Sequence, residues 1–405
     1  MAYETTTQRV RDRLRAERKR RGWDPARLAQ EMLAAMDERQ RPALASLVRN
    51  IERWESGDVT RITERYRLLY CKVLKMSEDE LFNLDDLPPQ NAPPPRPTPG
   101  DVPVVRRMLA ALTASDRQFG GEHARQYATE YLTRVVRPRL HAHAPDPLRR
   151  DLFTVATEFS MRVSAMHMDV GQNATARQLL ADAASMAHET DDTTLSAWVL
   201  ARRGEHELQM VAIGAEPERR RVHIDRAIAY TDGACGLARR AGPLSKAFIH
   251  TKHALAWSMT GDRAETRRAL TAMWRAYEQP TTSPEPAWAS AYGWGHLRHE
   301  EARCLVNVGL GEPAVRAAEE SLTVRSDLRP RAFTLGVPAM AHAQSGHIDQ
   351  ACTTAQELIT VAGHLSSARV RLRLSEVLQA LEPHRAAPAV RDVFEAARPV
   401  LYPAE

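Results

Sequence analysis

The sequence predicts an all-α protein, and three observations support this prediction. The sequence has no stretch of the length of a β-strand in which β-branched residues recur at every second position. Apolar residues instead recur at three- and four-residue steps through most of the chain, which is the spacing of one helix face. Alanine is abundant and only 6% of the residues are aromatic, a composition typical of closely packed helices. We therefore expect a small N-terminal helical domain followed by a longer array of helical hairpins.

Chain length and proline content predict the domain boundaries. At 405 residues the chain is long enough for two or three domains. Eight prolines between residues 85 and 103 block regular helix and sheet, so this segment is expected to be an extended linker. We expect a helical domain at 1–84, the linker at 85–103, connecting helices at 104–150 and the helical array at 151–405.

Cysteine usage and hydropathy indicate a cytoplasmic protein without a membrane partner. The four cysteines are scattered and form no CxxC pair, which is typical of free thiols in a reducing compartment. No apolar run approaches the ~20 residues that a membrane span needs. The first residues also lack the apolar core of a secretion signal.

The stretch 46–57, S-L-V-R-N-I-E-R-W-E-S-G, is the candidate DNA-reading helix. Its apolar residues, Trp54 among them, form one stripe that is expected to be buried. Arg49, Asn50 and Arg53 then fall on the opposite, exposed face. A helix fits the DNA major groove, and Arg and Asn make bidentate contacts to guanine and adenine edges. The stretch therefore predicts direct contacts to double-stranded DNA.

Basic segments surround this stretch. Residues 6–21 have the pattern of a basic amphipathic helix, a second helix is expected to start after 24, and two more at 63–75 and 77–82. The first 75 residues hold 18 Lys and Arg against 11 Asp and Glu, a balance of +7, whereas the whole chain carries +5. A basic domain of this kind is the electrostatic footprint of phosphate binding. Arg18 and Arg21 are expected to face solvent. The candidate phosphate contacts are Arg11, Arg15, Lys19, Arg27 and Ser46, of which Ser46 is also expected to cap the DNA-reading helix.

Five helices, of which the second and third form the turn, resemble the XRE or lambda-repressor-like family of helix-turn-helix DNA-binding domains. The resemblance rests on L-R-A-E-R-K-R-R-G-W-D-P-A-R-L-A at 14–29, I-E-R-W-E-S-G at 51–57 and M-S-E-D-E-L-F at 76–82. It implies a transcriptional regulator that binds an operator. One recognition helix buries too little surface for tight binding, so a homodimer on two half-sites is expected. The link between helices two and three is several residues longer than the family's usual turn.

Residues 151–405 contain a recurring unit. Gly171, Gly261, Gly309 and Gly346 each separate two predicted helices. A small residue stands seven positions before each glycine and another stands five positions after it, so two antiparallel helices can approach closely. These offsets look like tetratricopeptide repeats, which are helical hairpins of about 34 residues. With one more hairpin at 198–240, we expect five hairpins and two capping helices at 366–381 and 387–397.

The tetratricopeptide resemblance implies a concave wall, made by the first helix of each hairpin, that binds a short peptide or a small molecule. Repressor-like domains joined to such repeats include receptors for signalling peptides. Arg303 would take a carboxylate in a bidentate fork, and Asn307 would pair with a peptide backbone. The alternative is that these polar groups only solvate an exposed helix. The candidate wall residues are His296, His299, Arg303, Asn307, Glu158 and Asp169.

The sequence contains no phosphate-binding glycine loop and no nucleophile elbow, so we expect no enzyme and no cofactor. His296 and His299 stand three residues apart rather than the four of a H-E-x-x-H motif, and we expect no metal there. Two alternatives to the regulator stay open. One is a protein-interaction scaffold or adaptor, and the other is a plasmid or phage replication or partition factor that binds DNA.

Overall fold

The computed structural model describes residues 8–36, 41–56, 58, 62–76, 96–119, 122–214, 216–281, 285–290, 292–365 and 367–402. Within these ranges every regular element is a helix, which confirms the all-α prediction. None of these helices has the length and apolarity needed to span a lipid bilayer. The chain divides into two compact units. Unit 1 is Met1–Asp116 with Gly121–Leu152, and unit 2 is Arg117–Gly120 with Phe153–Glu405.

The helices of unit 1 begin and end close to the predicted positions. The predicted helix at 77–82 and residues 85–95 of the predicted linker lie outside the described residues. The elements are α1 (Gln8–Arg20), α2 (Pro25–Ala34), α3 (Leu44–Ser56), α4 (Glu64–Leu74), α5 (Asp101–Phe119), α6 (Glu122–Tyr131), a π-helical segment (Leu132–Val136) and α7 (Arg137–Leu140). Asp24 caps α2, because its carboxylate accepts the backbone N–H of Arg27 at 2.7 Å.

One apolar face of α3 lies in the core of unit 1. Leu47 and Ile51 are fully buried, and Trp54 is 5% exposed. The Trp54 ring contacts Tyr66 and Tyr70 of α4, with ring centroids 4.8 Å and 6.2 Å apart. The prediction that Trp54 is a core residue is confirmed.

A buried ion pair joins α1 to the end of α3. The Arg18 guanidinium donates from Nε to Glu55 Oε1 at 2.8 Å and from Nη2 to Glu55 Oε2 at 2.5 Å. These hydrogen bonds to Glu55 raise the pKa of Arg18 above its ordinary value. The expectation that Arg18 faces solvent was wrong, because the buried Glu55 carboxylate needs a compensating cation. Arg21 also has internal partners, since it donates to Glu17 and to the backbone carbonyl of Leu74.

Unit 2 is a series of paired helices, and the five predicted pairs are present. They are followed by two further helices, as expected, and one short helix, α14, was not predicted. The elements are α8 (Asp146–Asp169), α9 (Asn173–His188), α10 (Thr193–Ala212), α11 (Pro217–Leu237), α12 (Pro243–Ser258), α13 (Arg263–Tyr277), α14 (Ala287–Ser290), α15 (Trp294–Asn307), α16 (Gly311–Leu322), α17 (Leu328–Gln344), α18 (Ile348–Ala362), α19 (Ala368–Leu381) and α20 (Pro388–Leu401).

A glycine in the left-handed region lies in the turn of all five pairs, at the four predicted positions and at Gly214, where φ is +95°. At the predicted positions φ is +82° at Gly171, +79° at Gly261, +71° at Gly309 and +77° at Gly346. This left-handed region is open to glycine at little cost, which explains the residue type at the turn. The small residues on either side are buried, and Ser164 Oγ donates to the Ala176 carbonyl at 3.0 Å. The predicted close approach of the two helices is therefore present.

Consecutive helix pairs also pack on one another. Contacts between first helices run from α10 to α12, from α12 to α15, from α15 to α17 and from α17 to α19. Ala254, Ala302 and Ala339, which stand seven positions before their turn glycines, are each fully buried. The first helices therefore form one continuous layer, and this layer positions the charged side chains described below.

Candidate functional site

The exposed face of α3 carries the residues predicted to read DNA. Arg49 and Arg53 are exposed, and Ser46 and Asn50 are half-buried. At 3.6 residues per turn these four side chains leave the helix within an arc of about 100°, turned away from Ile51 on the buried face. The structure thus brings together on one helix face all four residues that were predicted to contact DNA from this helix.

Ser46 is not the cap of α3, which corrects the prediction. The Ala43 carbonyl accepts the backbone N–H groups of Ser46 at 2.9 Å and Leu47 at 3.1 Å, so the helix begins one turn earlier than expected. The error arose because serine is a common cap residue, whereas the helix also includes Leu44 and Ala45 before it. Ser46 now lies in the first turn, where unpaired backbone N–H groups and the helix dipole favour an anion.

Arg49 and Arg53 form no ion pair with any described residue. Arg49 Nε donates to the Ala45 carbonyl at 3.3 Å, which leaves the terminal nitrogens of its guanidinium directed to solvent. The carboxylate of Glu55 on the same helix is occupied by Arg18. The face therefore presents two cations that nothing in the described chain neutralises.

The predicted phosphate contacts outside α3 have different surroundings. Arg15 donates from Nη2 to the Glu55 carbonyl oxygen at 2.6 Å, although its side chain stays 43% exposed. Arg27 is exposed and pairs with Glu31 at 2.6 Å. Lys19 is exposed, and Arg11 is half-buried. A phosphate-binding role for these four residues stays a prediction.

The first helices of unit 2 meet in a buried set of charged side chains. Lys252 of α12, with a side chain 1% exposed, lies 3.3 Å from Glu205 of α10 and 2.7 Å from Glu300 of α15. Glu300 also pairs with Arg303 at 2.9 Å. We call the whole set the inner charge network; its members are Asp169, Arg202, Glu205, Lys252, Glu300, Arg303, Arg329, Arg369, Arg373 and Glu376.

The inner charge network joins parts of unit 2 that are far apart in sequence. Asp169, at the end of α8, accepts from Arg329 Nη2 and from Ser367 Oγ, both at 2.7 Å. Arg369 of α19 lies 3.8 Å from Glu205 of α10. Asp169 and Ser367 are 198 residues apart in sequence, so the end of α8 lies beside the start of α19. The network therefore links side chains of α8, α10, α12, α15, α17 and α19.

Burial and pairing determine the charge states in this network. Burial opposes ionisation of Glu205 and Glu300, but the neighbouring cations outweigh it and hold both pKa values below the ordinary range. Burial lowers the pKa of His296 to about 3 and that of His299 well below its usual value. At neutral pH both carboxylates are thus charged and both histidines neutral. By formal charge, the ten members of the network comprise six cations and four anions.

An aromatic cluster borders the network. The rings of Trp198 and Trp288 stack with centroids 4.8 Å apart and planes 5° apart. The ring centroid of Tyr292 lies 4.2 Å from that of Phe248 and 4.7 Å from that of His296. Trp198 Nε1 and His296 Nε2 are buried without a hydrogen-bond partner among the described residues. An unpaired buried polar nitrogen costs ~1–3 kcal/mol, and a bound water or a ligand would satisfy both of these nitrogens.

The structure gives most of the predicted ligand-binding residues partners inside the chain. Asn307 Nδ2 donates to Ser258 Oγ at 2.9 Å, and His299 Nδ1 lies 3.2 Å from Thr334 Oγ1. Glu158 is buried. With Arg303 and Asp169 already paired, a ligand would have to exchange with these internal contacts. Their ligand-binding role stays a prediction.

Sequence reasoning missed several members of the inner charge network. Lys252 and Glu205 are examples, because a charged residue on a helix is normally expected to face solvent. One signal was available. The residues three and four positions before and after Lys252 are all apolar, and a lone charge on a buried helix face implies an opposite charge on a neighbouring helix.

Comparisons with known proteins leave the chain without a family assignment. No protein-family model matches the sequence, and no curated protein matches it. The function is therefore inferred from the exposed face of α3 and from the interior of unit 2.

Proposed function

We propose that this protein is a DNA-binding transcriptional regulator of the helix-turn-helix type, as its resemblance to the XRE family implies. One observation carries the proposal. Arg49, Asn50 and Arg53 share the exposed arc of a helix whose other face is core, and neither arginine is in an ion pair with a described residue. An exposed surface with spare guanidinium donors is suited to the edges of guanine and to phosphates.

In this proposal α2 and α3 are the two helices of the motif, and α3 enters the major groove. Arg49 and Arg53 are one turn apart, which places them about 6 Å apart along the helix axis. Base pairs are stacked ~3.4 Å apart, so the two side chains would reach positions about two base pairs apart. Ser46 and the first-turn N–H groups would bind a backbone phosphate. The Arg18–Glu55 pair holds α3 against α1 and so fixes the angle of the reading helix.

We further propose that unit 2 is a superhelix of tetratricopeptide-like hairpins that dimerises and binds a ligand. The positive excess of the inner charge network and the adjoining aromatic cluster support a ligand with a carboxylate and an apolar group, such as a short peptide. A ligand changes DNA binding only by the difference between its affinities for two arrangements of the protein. It would therefore act by exchanging with an internal pair such as Arg303–Glu300.

The DNA-binding proposal is tested by titrating labelled duplex DNA fragments with the full-length protein at several salt concentrations. Each phosphate contact should contribute about −0.9 to the slope of log affinity against log salt. The variant with both Arg49→Ala and Arg53→Ala should bind much more weakly. A matched control removes two exposed arginines of α11, Arg219→Ala with Arg226→Ala, and should bind like the native protein. Equal binding by both double variants, or affinity independent of salt, would contradict the proposal.

A further inference from the structure

A Cys–His–His group lies where α11 meets α12, apart from the sites described above. Cys235 of α11 faces His250 and His253 of α12, and all three residues are half-buried. Cys235 Sγ lies 3.6 Å from His250 Nδ1 and 3.4 Å from His253 Nδ1. One ligand atom from each residue lies within 4.8 Å of the other two. We propose that these three residues bind a zinc ion.

The distances between the donor atoms fit tetrahedral zinc. Zinc binds thiolate sulfur at about 2.3 Å and imidazole nitrogen at about 2.0–2.1 Å, so a tetrahedral ion holds sulfur and nitrogen roughly 3.5 Å apart. The two observed separations from Cys235 Sγ are 3.6 Å and 3.4 Å. The third separation, between nitrogens of the two imidazoles, is at most 4.8 Å, and side-chain rotation can bring it to the roughly 3.4 Å of a tetrahedral ion. A thiolate with two imidazoles is also a donor set that favours zinc over magnesium or calcium, which prefer oxygen.

A carboxylate lies behind one of the three ligands. His253 Nε2 is 3.1 Å from Asp232 Oδ1, while Nδ1 of the same ring faces Cys235. Metal-binding histidines usually donate their other ring N–H to a carboxylate or carbonyl, which fixes the tautomer and aims the ligating nitrogen. Trp257 Nε1 donates to His253 Nε2 at 2.6 Å. When His253 Nδ1 binds the metal, the ring proton is on Nε2, which can then no longer accept the indole N–H of Trp257. The environment of Trp257 should therefore change on metal binding.

Zinc binding at this group is a simple exchange of ligands and one proton. The Cys235 thiol releases its proton to solvent, one zinc–sulfur bond and two zinc–nitrogen bonds form, and the oxidation states do not change. Three protein ligands leave the fourth position to water. Because α11 belongs to the second helix pair and α12 to the third, the ion would join consecutive pairs. The metal should therefore raise the unfolding temperature of unit 2.

The sequence alone did not indicate this Cys–His–His group, because its cysteine is far from its histidines in the sequence. Cys235 and His250 are separated by 15 residues and lie on different helices, so neither the CxxC nor the H-E-x-x-H pattern includes them. His250 and His253 are three apart on one helix, and this spacing places both rings on the same face. The conformation of the turn between α11 and α12 then determines whether the Cys235 thiol lies close to these two rings.

The test is a titration of the metal-free full-length protein with Co²⁺. The absorbance spectrum of bound Co²⁺ depends on its ligand atoms and so identifies them. The native protein should bind one ion per chain, show visible bands of tetrahedral cobalt and a near-ultraviolet band of thiolate-to-cobalt charge transfer, and lose both on addition of Zn²⁺. Cys235→Ala should remove the charge-transfer band, whereas Cys352→Ala, which changes a buried cysteine outside this group, should keep it. Asp232→Asn should weaken binding ~10–100-fold, since it leaves the three ligands in place.

Circular dichroism of each variant establishes that it is folded before the titration. A folded native protein that shows no charge-transfer band overturns the proposal. Retention of that band in folded Cys235→Ala overturns it as well, since another thiol would then be the ligand. His253→Gln supplies a second variant that keeps the thiol, and native-like cobalt binding by it would equally contradict the assignment.

Discussion

Two exposed arginines of unit 1 and one buried arginine of unit 2 have opposite surroundings. In unit 1, Arg49 and Arg53 are exposed and form no ion pair with a described residue. In unit 2, Arg329 has a side chain 10% exposed and pairs with Asp169, whose side chain is fully buried. An exposed arginine keeps its hydrogen bonds to water until another partner replaces them, whereas a buried one depends on its carboxylate. In the proposed account, this difference separates a surface for an external partner in unit 1 from an internal scaffold of charges in unit 2.

The largest effect is expected from breaking the internal scaffold at its centre. Lys252→Ala leaves the buried carboxylates of Glu205 and Glu300 without their shared cation, and should lower the free energy of unfolding by ~3–5 kcal/mol. Arg268→Ala removes an exposed pair with Glu265 and should change it by only ~0–1 kcal/mol. Denaturant unfolding of the two variants measures the contrast. A Lys252→Ala protein as stable as Arg268→Ala would show that the scaffold has no structural role.

An effect of similar size is expected in the core beneath the DNA-reading face. Trp54→Ala removes the ring that packs between α3 and α4 and should lower the free energy of unfolding of unit 1 by ~3–5 kcal/mol. Hydrogen exchange followed by mass spectrometry measures this unit by unit. Loss of protection in α3 and α4, with unit 2 unchanged, is the expected result. Unchanged protection in α3 would place the ring outside the stabilising core.

Acid should destabilise unit 2 before unit 1. Burial lowers the pKa of His296 to about 3, in a site that also faces Glu300, Lys252, Arg325 and Glu205. The unfolded chain binds a proton at this residue near pH 6.5 and the folded chain does not, so stability is complete above that pH and falls below it.

The lowered pKa values of Glu205 and Glu300 act in the same direction at lower pH, below about 4.3, where the unfolded carboxylates bind protons. In unit 1, His141 and His143 are exposed. Hydrogen exchange at pH 7 and pH 5 should therefore show a larger loss of protection in unit 2. A larger loss in unit 1 would contradict this assignment, and His296→Gln should reduce the loss in unit 2.

A smaller effect is expected from one residue of the external surface. Arg49→Ala should reduce affinity for the preferred DNA by ~1–3 kcal/mol and relax the preference at one base position, without a change in the free energy of unfolding. Binding to specific and random duplexes at one salt concentration separates the two roles. An equal loss on both duplexes would indicate a phosphate contact instead of a base contact.

The local sequence pattern predicted the helices, but it did not predict the ion pairs between residues that are far apart in sequence. The turn at Gly171 follows from glycine and two small residues within thirteen positions, so it is visible in one stretch of sequence. The partner of Arg18 is 37 residues away, and that of Lys252 is 48 residues away. Helical periodicity predicts which face of a helix a residue occupies, but not which charge lies opposite it on another helix. For this reason Arg18 was expected to face solvent and Lys252 was not identified.

The regulator proposal depends on α3 as the element that reads base sequence. Repeated selection of bound duplexes from a random DNA pool, by the full-length protein and by the variant with Arg49→Ala and Arg53→Ala, measures this property. We expect the native protein to enrich paired, symmetric half-sites with centres ~34 Å apart, and the double variant to lose that enrichment while still folded. Enrichment of the same sites by both proteins, or of none by the native protein, would contradict a DNA-reading role for α3.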